Sequence, residues 1–372
     1  MPTTFHSDMK NPLQNAVDER SKKLEMEFIS EHKMDHNFNA LLVGKPFRYT
    51  DLCVITGGDD GTIRVFTTKN NLRNWNLEEI SKLESKGGPV QCLHLHNVTK
   101  FGSCDMIVGD SKGTLTIFSN EQILNRRILS QDCIIALTVD VDHAGNLAIV
   151  VGDGEGGVTA VSPYGSLWKI RLQDARKQMY KEIGQRVSVK CMLSVQLPAA
   201  NGLPVSYIIV SDTCKNIFIL QNGMVVHTLH MTSVVTAMTS GYFIPIMPPP
   251  FSPTQSFSSP RSLQPARQSQ VALGTEEGSI FVLSNFQLQP YASVRLPITN
   301  LLSFPNNGCP EKTDFLLCSG HFNALMVFDQ QEIVHRLETK EWIHTVSCSY
   351  DDKHVVLGML DNTISIYRLA SI

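Results

Sequence analysis

The chain has 372 residues, 42% of them hydrophobic and 18% charged, a composition that suits a packed globular protein and excludes a disordered one. Its net charge of −3 provides no broad basic field, which argues against a nucleic-acid binder. No apolar run of about 18 residues is present to span a bilayer, and the opening MPTTFHSDMK lacks the apolar core of a signal peptide.

Residues 1–22 are polar and without period, which reads as a flexible tail. Lys23–Ser30 (KLEMEFIS) is a short alternating segment, and Phe38–Val43 a first apolar strand. Val54–Phe66 (VITGGDDGTIRVF) then introduces a phrase: an apolar run, a Gly or Ser, a polar turn and a second alternating run. The phrase returns at Met106–Phe118, Leu147–Val161, Ile208–Leu220, Val271–Leu283, Phe315–Phe328 and Val355–Tyr367. Its anchors are Gly57, Gly109, Gly152, Ser211, Gly274, Ser319 and Gly358, a period of about fifty residues. Paired strands at that period, without a helix, predict an all-β, seven-bladed β-propeller over 23–372.

Each blade parses as four antiparallel strands. Blade 2 uses Val90–Val98, Asp105–Gly109, Thr114–Phe118 and Gln122–Leu129. Blade 3 uses Ile134–Val141, Leu147–Val151, Val158–Ser162 and Leu167–Leu172, and blade 4 uses Val187–Leu197, Ser206–Val210, Ile217–Leu220 and Val225–His230. Blade 7 has only Ile343–Tyr350, His354–Gly358 and Thr363–Leu369, so Lys23–Ser30 is expected to supply its outer strand and seal the ring.

Two segments break the repeat. Gln173–Arg186 predicts a short helix with Ala175, Met179 and Ile183 on one face and a basic remainder. Arg176, Lys177, Met179, Lys181 and Ile183 are its candidate partner-binding residues. Residues 245–270 are rich in Pro and Ser and read as a disordered insert, with Ser252 and Ser259, each before a proline, as candidate phosphorylation sites.

Motifs that carry chemistry fail on context. Gly109–Gly113 spells GxSxG, but a strand follows where a nucleophile elbow needs a helix. Gly152–Gly157 spells GxGxxG, again before a strand, and reads as a hairpin turn. Asp140–Asn146 (DVDHAGN) approximates a calcium loop, yet Ala144 stands at the third acidic position; Asp140 and Asp142 are read as capping the turn through local amides. His94 and His96 share one face of an innermost strand and, like His227 and His230, lack a spaced set of further ligands. The nine cysteines, Cys53, Cys92, Cys104, Cys133, Cys191, Cys214, Cys309, Cys318 and Cys348, are scattered without a CxxC pair. They suit buried free thiols in a reducing, cytoplasmic setting. No catalytic, cofactor or metal residue is assigned.

The blades lack the GH and WD dipeptides of ordinary WD40 repeats. Asp140–Val161 (DVDHAGNLAIVVGDGEGGVTAV), and the latter halves of Asp105–Phe118 and Asp51–Phe66, resemble the degenerate FG-GAP/WD-like propellers. The order LEMEF, CVITGGDDGTIRVF, PVQCLHLHNVTKFGSCDMIVGDSKGTLTIF is similar to the FG-GAP-repeat propeller of KICSTOR-type complexes, and blades around Ile217–Met238 are similar to BBSome-subunit propellers. The resemblance implies a non-enzymatic adaptor in a multi-protein assembly, acting in nutrient (mTORC1) signalling and recruited to the lysosomal surface through partners.

The expected function is therefore an interaction scaffold that binds other protein subunits, without nucleic acid, membrane insertion or a small-molecule substrate. The alternatives are a ciliary, BBSome-like trafficking subunit, and a propeller enzyme or ligand binder whose central channel collects His94, His96, Asp140 and Asp142.

Overall fold

The computed structural model describes residues 24–71, 74–142, 144–179, 186–199, 203–245, 267–306, 312–349 and 353–371. The apolar runs form strands because their β-branched and aromatic residues fit a sheet covered on both faces, and the polar tetrads between them turn the chain back. Strand β1 is Leu24–Lys33. Blade 1 is β2 (Phe38–Gly44), β3 (Cys53–Gly58), β4 (Thr62–Asn71) and β5 (Asn74–Glu84). Blade 2 is β6 (Val90–His96), β7 (Asp105–Asp110), β8 (Thr114–Ser119) and β9 (Gln122–Ile128). Blade 3 is β10 (Ile134–Val141), β11 (Leu147–Asp153), β12 (Gly157–Val161) and β13 (Ser166–Arg171). Blade 4 is β14 (Val189–Pro198), β15 (Pro204–Asp212), β16 (Asn216–Gln221) and β17 (Met224–His230).

Blade 5 is β18 (Val235–Gly241), β19 (Gln270–Thr275), β20 (Ser279–Ser284) and β21 (Gln287–Ser293). Blade 6 is β22 (Ile298–Phe304), β23 (Phe315–Gly320), β24 (Phe322–Asp329) and β25 (Glu332–Glu338). Blade 7 is β26 (Ile343–Ser349), β27 (His354–Met359) and β28 (Thr363–Ser371), completed by β1. The first strands touch in a closed circle, β2 to β6, β10, β14, β18, β22, β26 and back to β2. The fold is a seven-bladed β-propeller.

The seal runs antiparallel from Leu24 opposite Ser371 to Lys33 opposite Thr363, with a bulge between Phe28 and Ser30. The strand extends three residues past the expected limit at Ser30. It continues because the bulge restores register and Lys33 then pairs with Asp361 at 3.0 Å.

Burial is divided among the gaps between blades. The buried apolar residues fall into seven clusters, each contributed by two neighbouring blades. Ile149 packs toward blade 2 and the adjacent Val150 toward blade 4, so a strand must be apolar on both faces.

The recurring Gly or Ser sits where one blade meets the next. A β-carbon on Gly57 would lie 2.3 Å from Cγ1 of Val90, and one on Gly109, Gly152 or Gly274 would lie 2.7 Å from Ile134, Val189 or Ile298. At the two serine positions the hydroxyl joins the contact. Ser211 Oγ donates to the Val235 carbonyl at 2.8 Å, and Asn300 Nδ2 donates both to Ser319 Oγ and to the His344 carbonyl, each at 3.2 Å.

Helix α1 spans Leu172–Met179, with Leu172 buried and Ala175 packed against the gap between blades 3 and 4. At blade 5, Gln270 belongs to β19. Its buried Oε1 accepts the Phe243 and Ile244 amides at 2.8 and 2.9 Å, and its Nε2 donates to the Ile244 carbonyl at 2.7 Å, so the end of the expected insert is sheet. Residues 246–266 lie outside the described residues, as does the tail at 1–23.

Candidate docking site

In a four-stranded blade the first and third connections emerge on one face of the ring and the remaining connections on the other. On the first face, between blades 2, 3 and 4, the connections enclose a cleft of about 500 Å³. Its floor includes Leu147, Ala148 and Ile208, and its walls carry Lys100, Asp140, Asp142, Tyr164, Leu167 and Trp168.

Local hydrogen bonds fix each wall. Asp105 Oδ2 accepts the Thr99 amide and hydroxyl at 2.9 and 2.8 Å, shaping the loop before β7. Lys100 Nζ then crosses to the Gly145 carbonyl at 3.1 Å. Asp142 Oδ1 accepts the amides of Ala144 and Asn146 at 2.9 and 2.8 Å, and its Oδ2 takes Asn146 Nδ2 at 2.9 Å. These bonds satisfy the turn that carries Gly145 at a positive φ of 76°. Trp168 lies against Gly223, where a β-carbon would stand 2.8 Å from the indole; the bare backbone lets blade 4 approach.

On the connections of this face four large side chains are exposed: Phe101 (72%), Tyr164 (68%), which also lines the cleft, Leu203 (62%) and Met224 (67%). They come from blades 2, 3, 4 and 4 and share this face. Clustered exposed apolar side chains rimmed by charge are the signature of a protein-binding surface.

Asp142 caps its turn as the sequence implies. Asp140 does not; it faces blade 4, where Ser194 Oγ donates to it at 2.7 Å and Ser206 Oγ also donates. His94 and His96 stand on β6 on the side of blade 3, opposite Ile107 and Asp105 in register. Burial, with the neighbouring His96 second, pushes His94 down to about 4, so it is neutral near pH 7. The sheet of blade 3 separates the histidines from Asp140, so the four residues do not form one channel site. Their places on the innermost strands of adjacent blades imply convergence; the alternation of side chains across each sheet prevents it.

At the opposite mouth of the ring each innermost strand carries a bulge near its start. The extra residues are Asn39, Gln91, Ile135, Lys190, Thr236, Thr299 and His344. Asn39 Nδ2 donates to the Val90 carbonyl at 3.2 Å and Thr236 Oγ1 to the Ile298 carbonyl, tying blade 1 to blade 2 and blade 5 to blade 6. A single extra residue leaves the anchor spacing unchanged, which hid this ring from sequence reading.

The remaining candidates have structural partners. His230 Nδ1 contacts Asn216 Oδ1 at 3.1 Å, and His227 lies edge-on to Phe286. The Ser111 amide donates to the Pro89 carbonyl at 2.9 Å, and β8 follows the turn. Asp153 accepts the Glu155 and Gly157 amides at 2.9 and 2.7 Å, so the GxGxxG segment is a hairpin. Burial pushes the Cys92, Cys191 and Cys318 thiols up to about 12, away from nucleophilic thiolates. Among the described residues, no group of three or more His, Cys, Asp or Glu could hold a metal ion, and no helix is long and apolar enough to cross a membrane. Arg176, Lys177 and Met179 lie on the backbone of α1, whereas Lys181, Ile183, Ser252 and Ser259 fall outside the described residues.

No family model matches the chain, and no curated protein does. Among solved structures it is similar to the WD40 propeller domain of Doa1, with TM-score 0.63 and 11% identity over 92% of this chain and 96% of that one. It is also similar to BBS1N in complex with ARL6DN, in a mercury-soaked crystal (TM-score 0.65) and a lead-soaked one (TM-score 0.67). Each of these is 9% identical over 93% of this chain and 97% of the other. At such identities the likeness establishes the propeller fold.

Proposed function

We propose that this propeller is a non-enzymatic adaptor that docks other protein subunits on the face bearing the cleft between blades 2, 3 and 4. The observation that carries the reading is the set of four exposed apolar side chains, Phe101, Tyr164, Leu203 and Met224, on the face that bears a cleft with fixed polar walls. A rigid ring pre-organises its connections, so little ordering cost opposes binding. BBS1N, a propeller of similar shape, is solved in complex with ARL6DN, which supports the use of such a ring as a partner platform. The basic helix α1 and the segment with Ser252 and Ser259 are further docking and phosphorylation elements of this adaptor.

The assembly favoured by the sequence resemblance is KICSTOR-like: a cytoplasmic subunit in nutrient (mTORC1) signalling, recruited to lysosomes through its partners. The likeness to BBS1N favours a second reading, a ciliary trafficking subunit. Tagged full-length chain should co-purify with a fixed set of proteins, and Y164A/M224D should lose that set while keeping its melting temperature. Wild-type chain recovered only as a monomer would overturn the adaptor reading. Location of the tagged chain at lysosomes or at cilia decides between the two assemblies.

A further inference from the structure

The outer wall of the ring is polarised by charge. Its outermost strands are β5, β9, β13, β17, β21, β25 and β1. On β25, β1 and β5, in the consecutive blades 6, 7 and 1, glutamates outnumber lysines and arginines on every strand. β9 (QILNRRI) and β13 (SLWKIR), in blades 2 and 3, carry Arg126, Arg127, Lys169 and Arg171 and no acidic residue.

Arg126, Lys169 and Arg171 are exposed and Arg127 is half-buried. The Lys169 ammonium donates to the Leu129 carbonyl at 3.1 Å, holding the two strands together. Arg126, Arg127 and Arg171 have no ion-pair partner among the described residues. Aliphatic side chains interleave with the charges; Ile123, Leu124 and Leu167 are exposed, and Ile128 is 70% exposed. β9 is also the free edge of its sheet, without the proline that β21 carries at Pro290 or the glutamates that guard β1 and β5.

We propose that the wall formed by β9 and β13 docks an extended acidic segment of a partner protein, in which carboxylates alternate with aliphatic residues. The carboxylates answer the unpaired guanidinium groups, and the aliphatic residues cover Ile123, Leu124, Ile128 and Leu167. A nucleic acid would answer the charge but leave those aliphatic side chains in water. A hollow of about 170 Å³ between the strands also holds Asp153 and Glu155, so the partner's carboxylates lie along the outer strand faces and not inside it. This surface shares only Leu167 with the cleft and otherwise uses other residues, so either can fail alone.

The test is titration of the full chain with a fluorescent twelve-residue peptide alternating glutamate and valine. Binding should weaken about tenfold or more between 50 and 500 mM salt, because exposed charges are screened. It should fall by about tenfold or more in R126E/R171E, with the melting temperature kept, and remain unchanged in Y164A/M224D. E78K/E79K, on the acidic wall, should bind as wild type. The proposal is overturned if the glutamate peptide does not bind, if a lysine–valine peptide binds equally, or if R126E/R171E retains full affinity. Equal binding of a single-stranded oligonucleotide of matched charge also overturns it, assigning the wall to polyanions in general.

Discussion

The ring of Phe38, the first residue of blade 1's innermost strand, packs on the bare backbone of Gly358 in blade 7. A β-carbon on Gly358 would stand 2.7 Å from Cε2 of Phe38 and 3.2 Å from Cζ. The same contact joins Gly57 to Val90 and Gly109 to Ile134, so the seam that closes the circle is built like its interior joints.

Gly358→Val should therefore destabilise the fold by about 1–3 kcal/mol through overpacking, with Gly57→Val costing a similar amount. Urea midpoints measure both. A neutral Gly358→Val would mean that blades 7 and 1 are not in native contact.

Removing residues 1–33 should lower stability by several kcal/mol, since buried Leu24 alone contributes roughly 1.5–3 kcal/mol and β28 becomes an open edge. Thermal melting and light scattering should show an earlier, aggregating transition. An unchanged transition would remove β1 from the seal.

Two groups contribute to the acid response in separate windows. His94 is held at about 4 in the folded chain, against an ordinary value of 6.5, so only the unfolded chain takes up its proton as pH falls below 6.5. Stability should fall from pH 6.5 toward 4, and His94→Gln should flatten that limb. Asp60 is lowered to about 2, chiefly by its bond from Arg64, which lies 2.7 Å away. Its contribution is present above pH 4 and is lost as pH falls through 2, a limb that Asp60→Asn should remove. Urea midpoints from pH 8 to 2 measure both.

Asp212, the last residue of β15, is fully buried and accepts the Cys214 and Asn216 amides, each at 2.8 Å, and Asn216 Nδ2 at 2.9 Å. Asp212→Ala should cost about 2–4 kcal/mol by leaving those donors unmet. Asp142→Ala, at an exposed turn, should cost clearly less. Equal losses in denaturant titrations would show that burial does not set the difference.

The blade count, the seal and the anchors were legible because one packing demand repeats seven times, and Gly57 or Ser211 answers it in the one-letter code. The failures share a cause: they depend on which blade stands beside which. Asp140 reads as a local cap until Ser194 and Ser206 of blade 4 are placed opposite it. Gln270 reads as the end of a polar insert until its side chain is seen closing on Phe243 and Ile244. The charge asymmetry between β9 and β5 emerges only when strands far apart in sequence are set around one circumference.

The pairing of Lys33 with Thr363 also sets an order of events during synthesis. Strand β1 leaves the ribosome before the other strands of the ring, and its partner is made more than 300 residues later. At about 5–20 residues per second, β1 waits on the order of 15 to 65 seconds without a mate. Throughout that interval the nascent chain has a loose first strand and an incomplete last blade, and this is when a chaperone would have most to shield.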